Sequence, residues 1–253
     1  MPAKSAQAAG IRGDTQSRAA LVLLVAAAIT ALLYVVPYGR ELGYPLVLLS
    51  TVAHEMGHGI AGVLVGGTFE SLSIGSDASG LANISGYDGR FAQAFVSAGG
   101  LCGPAVTAAI AFALARKPRL ARFALFAAGI FLVVSLVWVV RNVFGWVFVG
   151  ATAAALLAIS VKASEGTAQV VLAFFGVQLA LSVFSRGDYL FTDTAHTAMG
   201  TFPSDVANMA TALFLPYWFW GALCGAFSVL VLVVGAWLYV RAPGRPAEAA
   251  RAR

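Results

Sequence analysis

Long apolar runs are the feature that most constrains how this chain folds. Each run is close to the roughly 20 residues that an α-helix needs to cross the hydrocarbon core of a bilayer. The runs follow one another at about 19–37, 45–66, 91–115, 120–140, 143–161, 168–185 and 212–240. Because a backbone in lipid must satisfy its hydrogen bonds internally, the runs predict helices. We therefore expect an all-α polytopic membrane protein with roughly six to seven transmembrane helices.

The composition agrees with a membrane protein and argues against a soluble one. Charged residues make up 11% of the chain and hydrophobic residues 60%, whereas a soluble domain carries about 25% charged residues. The net charge is +5, and the basic residues lie at the termini and in short loops, as in membrane proteins with a cytoplasmic C-terminus. We expect the lipid bilayer as a partner, no nucleic acid, and a multi-pass location in a bacterial cell membrane. The sequence makes no prediction of oligomeric state.

Three segments follow from the distribution of polar residues. Residues 1–18 are small, polar and basic, and predict a disordered tail, whereas 19–240 form a single polytopic membrane domain and 241–253 a second basic tail. A basic tail before an apolar run is also typical of a signal peptide. The first run is long, however, and no small-residue cleavage site follows it. We therefore expect an uncleaved first helix.

The segment at 68–90 differs from the apolar runs around it. Thr68–Ile74 alternates imperfectly between apolar and polar residues. Glycines then recur at positions 75, 80, 86 and 89. This pattern predicts a short β-hairpin or an extended loop after the second helix.

The second apolar run contains the motif His54-Glu55-Met56-Gly57-His58. On a helix, residues i and i+4 share one face, so His54 and His58 can bind one metal ion together. Glu55 lies beside them, where a carboxylate can accept a proton from a water that the metal activates. Ionisable residues are costly in a membrane, which favours a functional site. The alternative is a hydrogen-bonded polar cluster that stabilises helix packing.

A third metal ligand must come from elsewhere in the chain, because catalytic zinc usually has three protein ligands and one water. The polar stretch before the last apolar run offers four candidates, which are Asp188, Asp193, His196 and Asp205. Asp205 is preferred because Ser204 can cap the helix that carries it. We expect Zn²⁺ on His54, His58 and Asp205, with the other three candidates as alternatives.

Three stretches together resemble a known family. HEMGHGIAGVLVGG begins at His54, GGLCGP begins at Gly99, and Ser204-Asp205-Val206 precedes the last apolar run. They are similar to the site-2 protease group of intramembrane zinc metalloproteases, and most of all to its M50B-like branch, in which a Ser-Asp-small motif precedes a late helix. The resemblance covers 50–104 well and 186–220 loosely. The better-known members instead take their third ligand from a later Asp-Gly pair, whereas Asp88-Gly89 falls early and in a loop.

The resemblance implies an intramembrane endopeptidase that cleaves a membrane-anchored protein. It implies zinc on His54, His58 and an aspartate, with Glu55 as the general base. It also suggests that the hairpin presents a strand edge to an unwound substrate. One alternative is a metal-binding membrane protein without protease activity, either transporter-like or a degenerate relative, and another is a scaffold in which the motif is incidental. The presence of Glu55 favours the enzyme.

Overall fold

The computed structural model describes residues 20–33, 35–185, 187–197 and 200–241. Its helices are α1 (Ala20–Leu33), α2 (Gly39–Leu64), α3 (Arg90–Ala115), α4 (Pro118–Trp138), α5 (Val143–Lys162), α6 (Glu165–Ser185), α7 (Asp205–Leu213) and α8 (Tyr217–Val240). The strands are β1 (Thr68–Ile74), β2 (Gly80–Ser85), β3 (Thr194–Thr197) and β4 (Gly200–Pro203), with a 3₁₀ helix at Gly187–Phe191. The predicted tails, apart from Arg241, lie outside the described residues, so the division at 18 and 241 stays a prediction.

Helices long and apolar enough to cross a bilayer dominate the fold. Five of the described helices, α3, α4, α5, α6 and α8, meet that condition. α2 is as long as α3, at 26 residues, and packs along it. The prediction of a polytopic helical protein is confirmed, and the chain is a multi-pass membrane protein in a lipid bilayer. The last apolar run is divided, because Phe214 adopts a left-handed conformation with φ 66° and ends α7 before α8 begins.

Small residues bring α2 and α3 into close contact. A Cβ atom added to Gly57 would collide with the carbonyl of Gly99 and would lie 3.2 Å from the Cα of Gly103. The Gly99 and Gly103 pair has the GxxxG spacing that permits such an approach between membrane helices. The close packing places the part of α2 that carries His54 and His58 directly beside the middle of α3.

The predicted hairpin after α2 is confirmed. β1 and β2 pair in antiparallel register and run back alongside α2. Ile84 packs against Gly62 near the end of α2. At the turn of the hairpin, the Tyr44 hydroxyl donates a hydrogen bond of 2.7 Å to the carbonyl of Ser76. The hairpin is therefore fixed along about 20 residues of the helix, or about 30 Å at 1.5 Å per residue.

Basic residues cluster at one end of the helices. They lie where α3, α5 and α8 end, at Arg116, Lys117, Arg119, Arg122, Lys162 and Arg241. The positive-inside rule predicts that this end faces the cytoplasm.

Candidate metal centre

His54 and His58 lie one turn apart on α2 with their Nε2 atoms 3.1 Å from each other. The other ring nitrogen of His58, Nδ1, lies 2.8 Å from the carbonyl oxygen of Val96 on α3. A carbonyl only accepts hydrogen bonds, so Nδ1 is the atom that donates. The Nε2 lone pair of His58 is thereby left to face the centre, which is how metal-binding histidines are usually oriented.

Asp205, the first residue of α7, completes the cluster. Its Oδ2 atom lies 3.1 Å from Nε2 of His54 and 3.3 Å from Nε2 of His58. Zinc bonds of about 2.0–2.1 Å in a tetrahedral site would separate the ligand atoms by about 3.3 Å. The three atoms therefore have the spacing of ligands to one ion, and within the described part of the chain they form a group that can hold a metal.

The environment of Asp205 also fits a cation. The residue is 8% exposed, and within the described structure its buried Oδ2 atom has no backbone N–H or hydroxyl donor, only the two Nε2 atoms beside it. A buried carboxylate charge is costly unless a positive charge compensates it. A metal ion between the three side chains would remove that cost.

Ser204 positions Asp205 at the start of α7. Its Oγ atom accepts a hydrogen bond of 3.2 Å from the backbone N–H of Ala207, which is an N-cap. The same hydroxyl donates to the carbonyl of Thr192 at 2.6 Å, and the backbone N–H donates to the carbonyl of Asp193 at 2.9 Å. These bonds fix the helix start against the preceding loop.

We predict that Ser204→Ala weakens zinc binding. The change removes an N-cap, which costs about 0.5–2 kcal/mol, and partners in the outer shell of a metal site typically contribute about 10–100-fold in affinity. Zinc titration of the purified protein measures the effect. Ser204→Thr, which retains a hydroxyl, should restore most of the affinity. Unchanged affinity in Ser204→Ala would show that the cap does not hold Asp205.

Glu55 is 6% exposed and lies against β2. A Cβ atom added to Gly80, the first residue of that strand, would lie 2.5 Å from Oε1 of Glu55. The absence of a side chain at position 80 therefore leaves room for the carboxylate between α2 and the hairpin.

The faces of α2 show how the hairpin lies relative to the histidines. Successive residues of a helix are about 100° apart around its axis. Measured from His54, Gly62 therefore lies at about 80°, Glu55 at about 100° and Gly59 at about 140°. Gly62 and Glu55 contact β2, whereas Gly59 contacts Phe69 of β1. β2 therefore lies between the two histidines and β1.

One known protein family matches most of this chain. The sequence model of a family described as Peptidase M50B-like matches residues 25–235, which include the whole centre. The chain belongs to this family. Membership confirms the resemblance to the site-2 protease group and places this M50B-like protein among the membrane metalloproteases. No curated protein and no solved structure shows a significant match to the chain.

Two of the three alternative ligands lie elsewhere in the M50B-like fold. Asp193 is exposed and its Oδ1 atom accepts a hydrogen bond of 3.1 Å from the Thr194 hydroxyl. His196 is also exposed, with Nδ1 3.2 Å from the hydroxyl oxygen of Thr201. The Asp188 side chain lies outside the described residues. The structure thus brings Asp205, rather than Asp193 or His196, to His54 and His58.

Two residues of the site were not predicted from the sequence. The ring of Tyr189 meets that of His54 edge to face, with centroids 5.8 Å apart. Gly100 lies so close to Nε2 of His58 that a Cβ atom there would overlap the imidazole. No sequence signal indicated Tyr189, whereas Gly100 lies in the stretch GGLCGP, whose Gly99 and Gly103 have a spacing typical of closely packed membrane helices.

Proposed function

We propose that this M50B-like chain is an intramembrane zinc endopeptidase that hydrolyses peptide bonds of membrane-anchored proteins. The observation that carries the proposal is the convergence of Asp205 Oδ2 on the two histidine Nε2 atoms, at 3.1 and 3.3 Å. Gly100, which lies against His58, is ten residues into the 26-residue helix α3. That is about 15 Å along the helix axis, so the centre lies near the middle of the span.

His54, His58 and Asp205 would hold the ion. Two imidazole nitrogens and one carboxylate oxygen are a ligand set that suits zinc, and three protein ligands leave a fourth position open for catalysis. Bound zinc would lower the pKa of a water molecule and polarise the carbonyl of the scissile bond.

Glu55 would act as the general base and then as the general acid. Its carboxylate accepts a proton from the attacking water and delivers it to the leaving amine. Burial between α2 and Gly80 holds the carboxylate in one place, so the proton moves over a fixed distance.

Water would reach the centre by way of a cavity that has polar groups in its wall. A cavity of about 490 Å³ lies between α1, α2, α6 and the turn of the hairpin. Its polar lining includes Thr30, Tyr44, Ser50, Asp77, Gln178 and Ser182. Ser50 is buried one helical turn before His54, so this lining continues towards the histidines. Lipid itself supplies no water, and hydrolysis in a membrane needs such a route.

The substrate would bind to β2 as an added strand. No backbone group of the described structure other than those of β1 and the hairpin turn bonds to β2, so the edge facing the histidines is open. An extended peptide can pair with an open strand edge through its main chain. Such pairing would bring the substrate backbone beside Glu55.

The zinc content of the purified protein tests the proposal. We expect about one zinc per chain by elemental analysis, and we expect Asp205→Ala to lose most of it because a ligand is missing. His196→Ala is the matched control and should retain zinc. Full zinc occupancy in Asp205→Ala would contradict the ligand assignment.

Cleavage is measured on a reporter with one apolar transmembrane segment between two soluble tags. The segment is taken from a protein captured by the Glu55→Gln variant. We expect a chelator to stop cleavage and added zinc to restore it. Cleavage that persists in a zinc-free sample would contradict the proposed function.

A further inference from the structure

We propose that Asn142 is a positioning residue that holds the hairpin against the catalytic centre, so that α4 and α5 fix the place of Gly80 beside Glu55. The inference rests on the proposed function for its effect on cleavage. Its structural part, that Asn142 holds the hairpin, is tested separately below.

The connection between α4 and α5 pairs with β1 through a single parallel bridge. The backbone N–H of Leu72 donates to the carbonyl of Val139 at 2.7 Å, and the N–H of Arg141 donates to the carbonyl of Leu72 at 2.9 Å. Leu72 and Val140 form a parallel bridge, and both are fully buried. The outer edge of β1 is therefore occupied at Leu72.

The side chain of Asn142 continues this pairing by one more residue of β1. The backbone N–H of Ile74 donates to Oδ1 of Asn142 at 3.1 Å. Nδ2 of Asn142 donates to the carbonyl of Ile74 at 2.7 Å. One amide side chain thus satisfies both backbone groups of a fully buried residue, as a neighbouring strand would.

Helix capping does not account for this arrangement. Asn142 is the N-cap residue of α5, where an asparagine side chain usually accepts a hydrogen bond from the first turn of the helix. Here its side chain makes no such bond. The amide is turned towards β1 instead, so its two bonds to Ile74 are the interactions that the side chain provides.

Ile74 links Asn142 to the catalytic residue. Ile74 is the register partner of Gly80 in β2, and Gly80 lies against the carboxylate of Glu55. A two-stranded hairpin is marginally stable by itself, so release of Ile74 would loosen Gly80. Because the outer edge of β1 is occupied at Leu72 and Ile74, β2 offers the more open edge to a substrate among the described strands of this sheet.

The test compares three variants of the full chain with the wild type in nanodiscs. Asn142→Ala removes both bonds to Ile74. Asn142→Asp retains a good N-cap residue and an acceptor for the Ile74 N–H, but it loses the donor to the Ile74 carbonyl. Gln169→Ala is the matched control, because it removes another side-chain amide bond to a backbone carbonyl, 2.6 Å long, to Ala115 at the opposite end of the helices.

Hydrogen exchange, zinc content and cleavage of the tagged reporter are measured on each variant. We expect amide exchange at 72–85 to rise about tenfold in Asn142→Ala and kcat/KM to fall about tenfold, as the loss of one to two hydrogen bonds implies. Asn142→Asp should also raise amide exchange at 72–85 and lower kcat/KM. Both Asn142 variants should retain the zinc content of the wild type. Gln169→Ala should match the wild type in all three measurements.

Two results would overturn the inference. One is wild-type exchange at 72–85 in Asn142→Ala. The other is an equal loss of cleavage in Gln169→Ala, which would show a general effect of stability. If the wild-type protein does not cleave, the proposed function fails, and the exchange measurement still decides whether Asn142 holds the hairpin.

Discussion

Glu55→Gln should retain zinc and lose at least about 100-fold in kcat, because general acid–base catalysis typically contributes about 10²–10⁴-fold. Glutamine has nearly the same shape as glutamate, so it fits the space beside Gly80, where a Cβ atom would lie 2.5 Å from the carboxylate. An amide cannot take a proton from water at neutral pH. Reporter cleavage and zinc content, measured on the same preparation, test the two halves of the prediction.

Glu70→Gln is the control for this change. Glu70 is exposed on β1 and accepts a hydrogen bond of 2.5 Å from the Ser85 hydroxyl, which the amide oxygen of glutamine can also accept. The same loss of charge away from the centre should leave kcat unchanged. Wild-type cleavage by Glu55→Gln would rule out Glu55 as the base.

The helices could be predicted from the sequence because lipid allows few alternatives. The apolar run at 91–115 became Arg90–Ala115, and the run at 143–161 became Val143–Lys162. A long apolar segment in a bilayer must close its hydrogen bonds within itself, so length and hydropathy decide the structure. The same local information marked Ser204 as an N-cap, which correctly predicted the helix start at Asp205.

Contacts between distant parts of the chain could not be predicted in this way. Asn142 and Ile74 are 68 residues apart, and in the sequence Asn142 reads as part of a turn between two spans. Asp193 and His196 have suitable ligand atoms, but in the folded chain both are exposed and bond to Thr194 and Thr201 instead. Local patterns thus predicted the membrane helices and the first hairpin, whereas packing determined which aspartate meets the histidines.

Gly100→Ala should abolish zinc binding while the helices remain folded. The new Cβ atom would overlap the His58 imidazole at Nε2, which is the atom that faces the centre. Moving α3 away would lose the close contacts of Gly57 on α2 with the backbone of Gly99 and Gly103, which is costly in a tightly packed interface. The ring must therefore turn, which breaks the 2.8 Å bond of Nδ1 to Val96 and removes a ligand. We expect zinc content near zero and no cleavage, with the helical circular dichroism of the wild type.

Gly150→Ala separates this local effect from the general effect of a methyl group in a membrane helix. A Cβ atom at position 150 on α5 would meet its nearest neighbour, Leu136, at 3.6 Å, which is an ordinary contact. Alanine also favours a helix over glycine by about 0.5–1 kcal/mol, so this variant should be at least as stable as the wild type and retain zinc. If Gly100→Ala also bound zinc at wild-type affinity, the ion would not lie where Nε2 of His58 points. The assignment of the centre would then be wrong even though the three side chains converge.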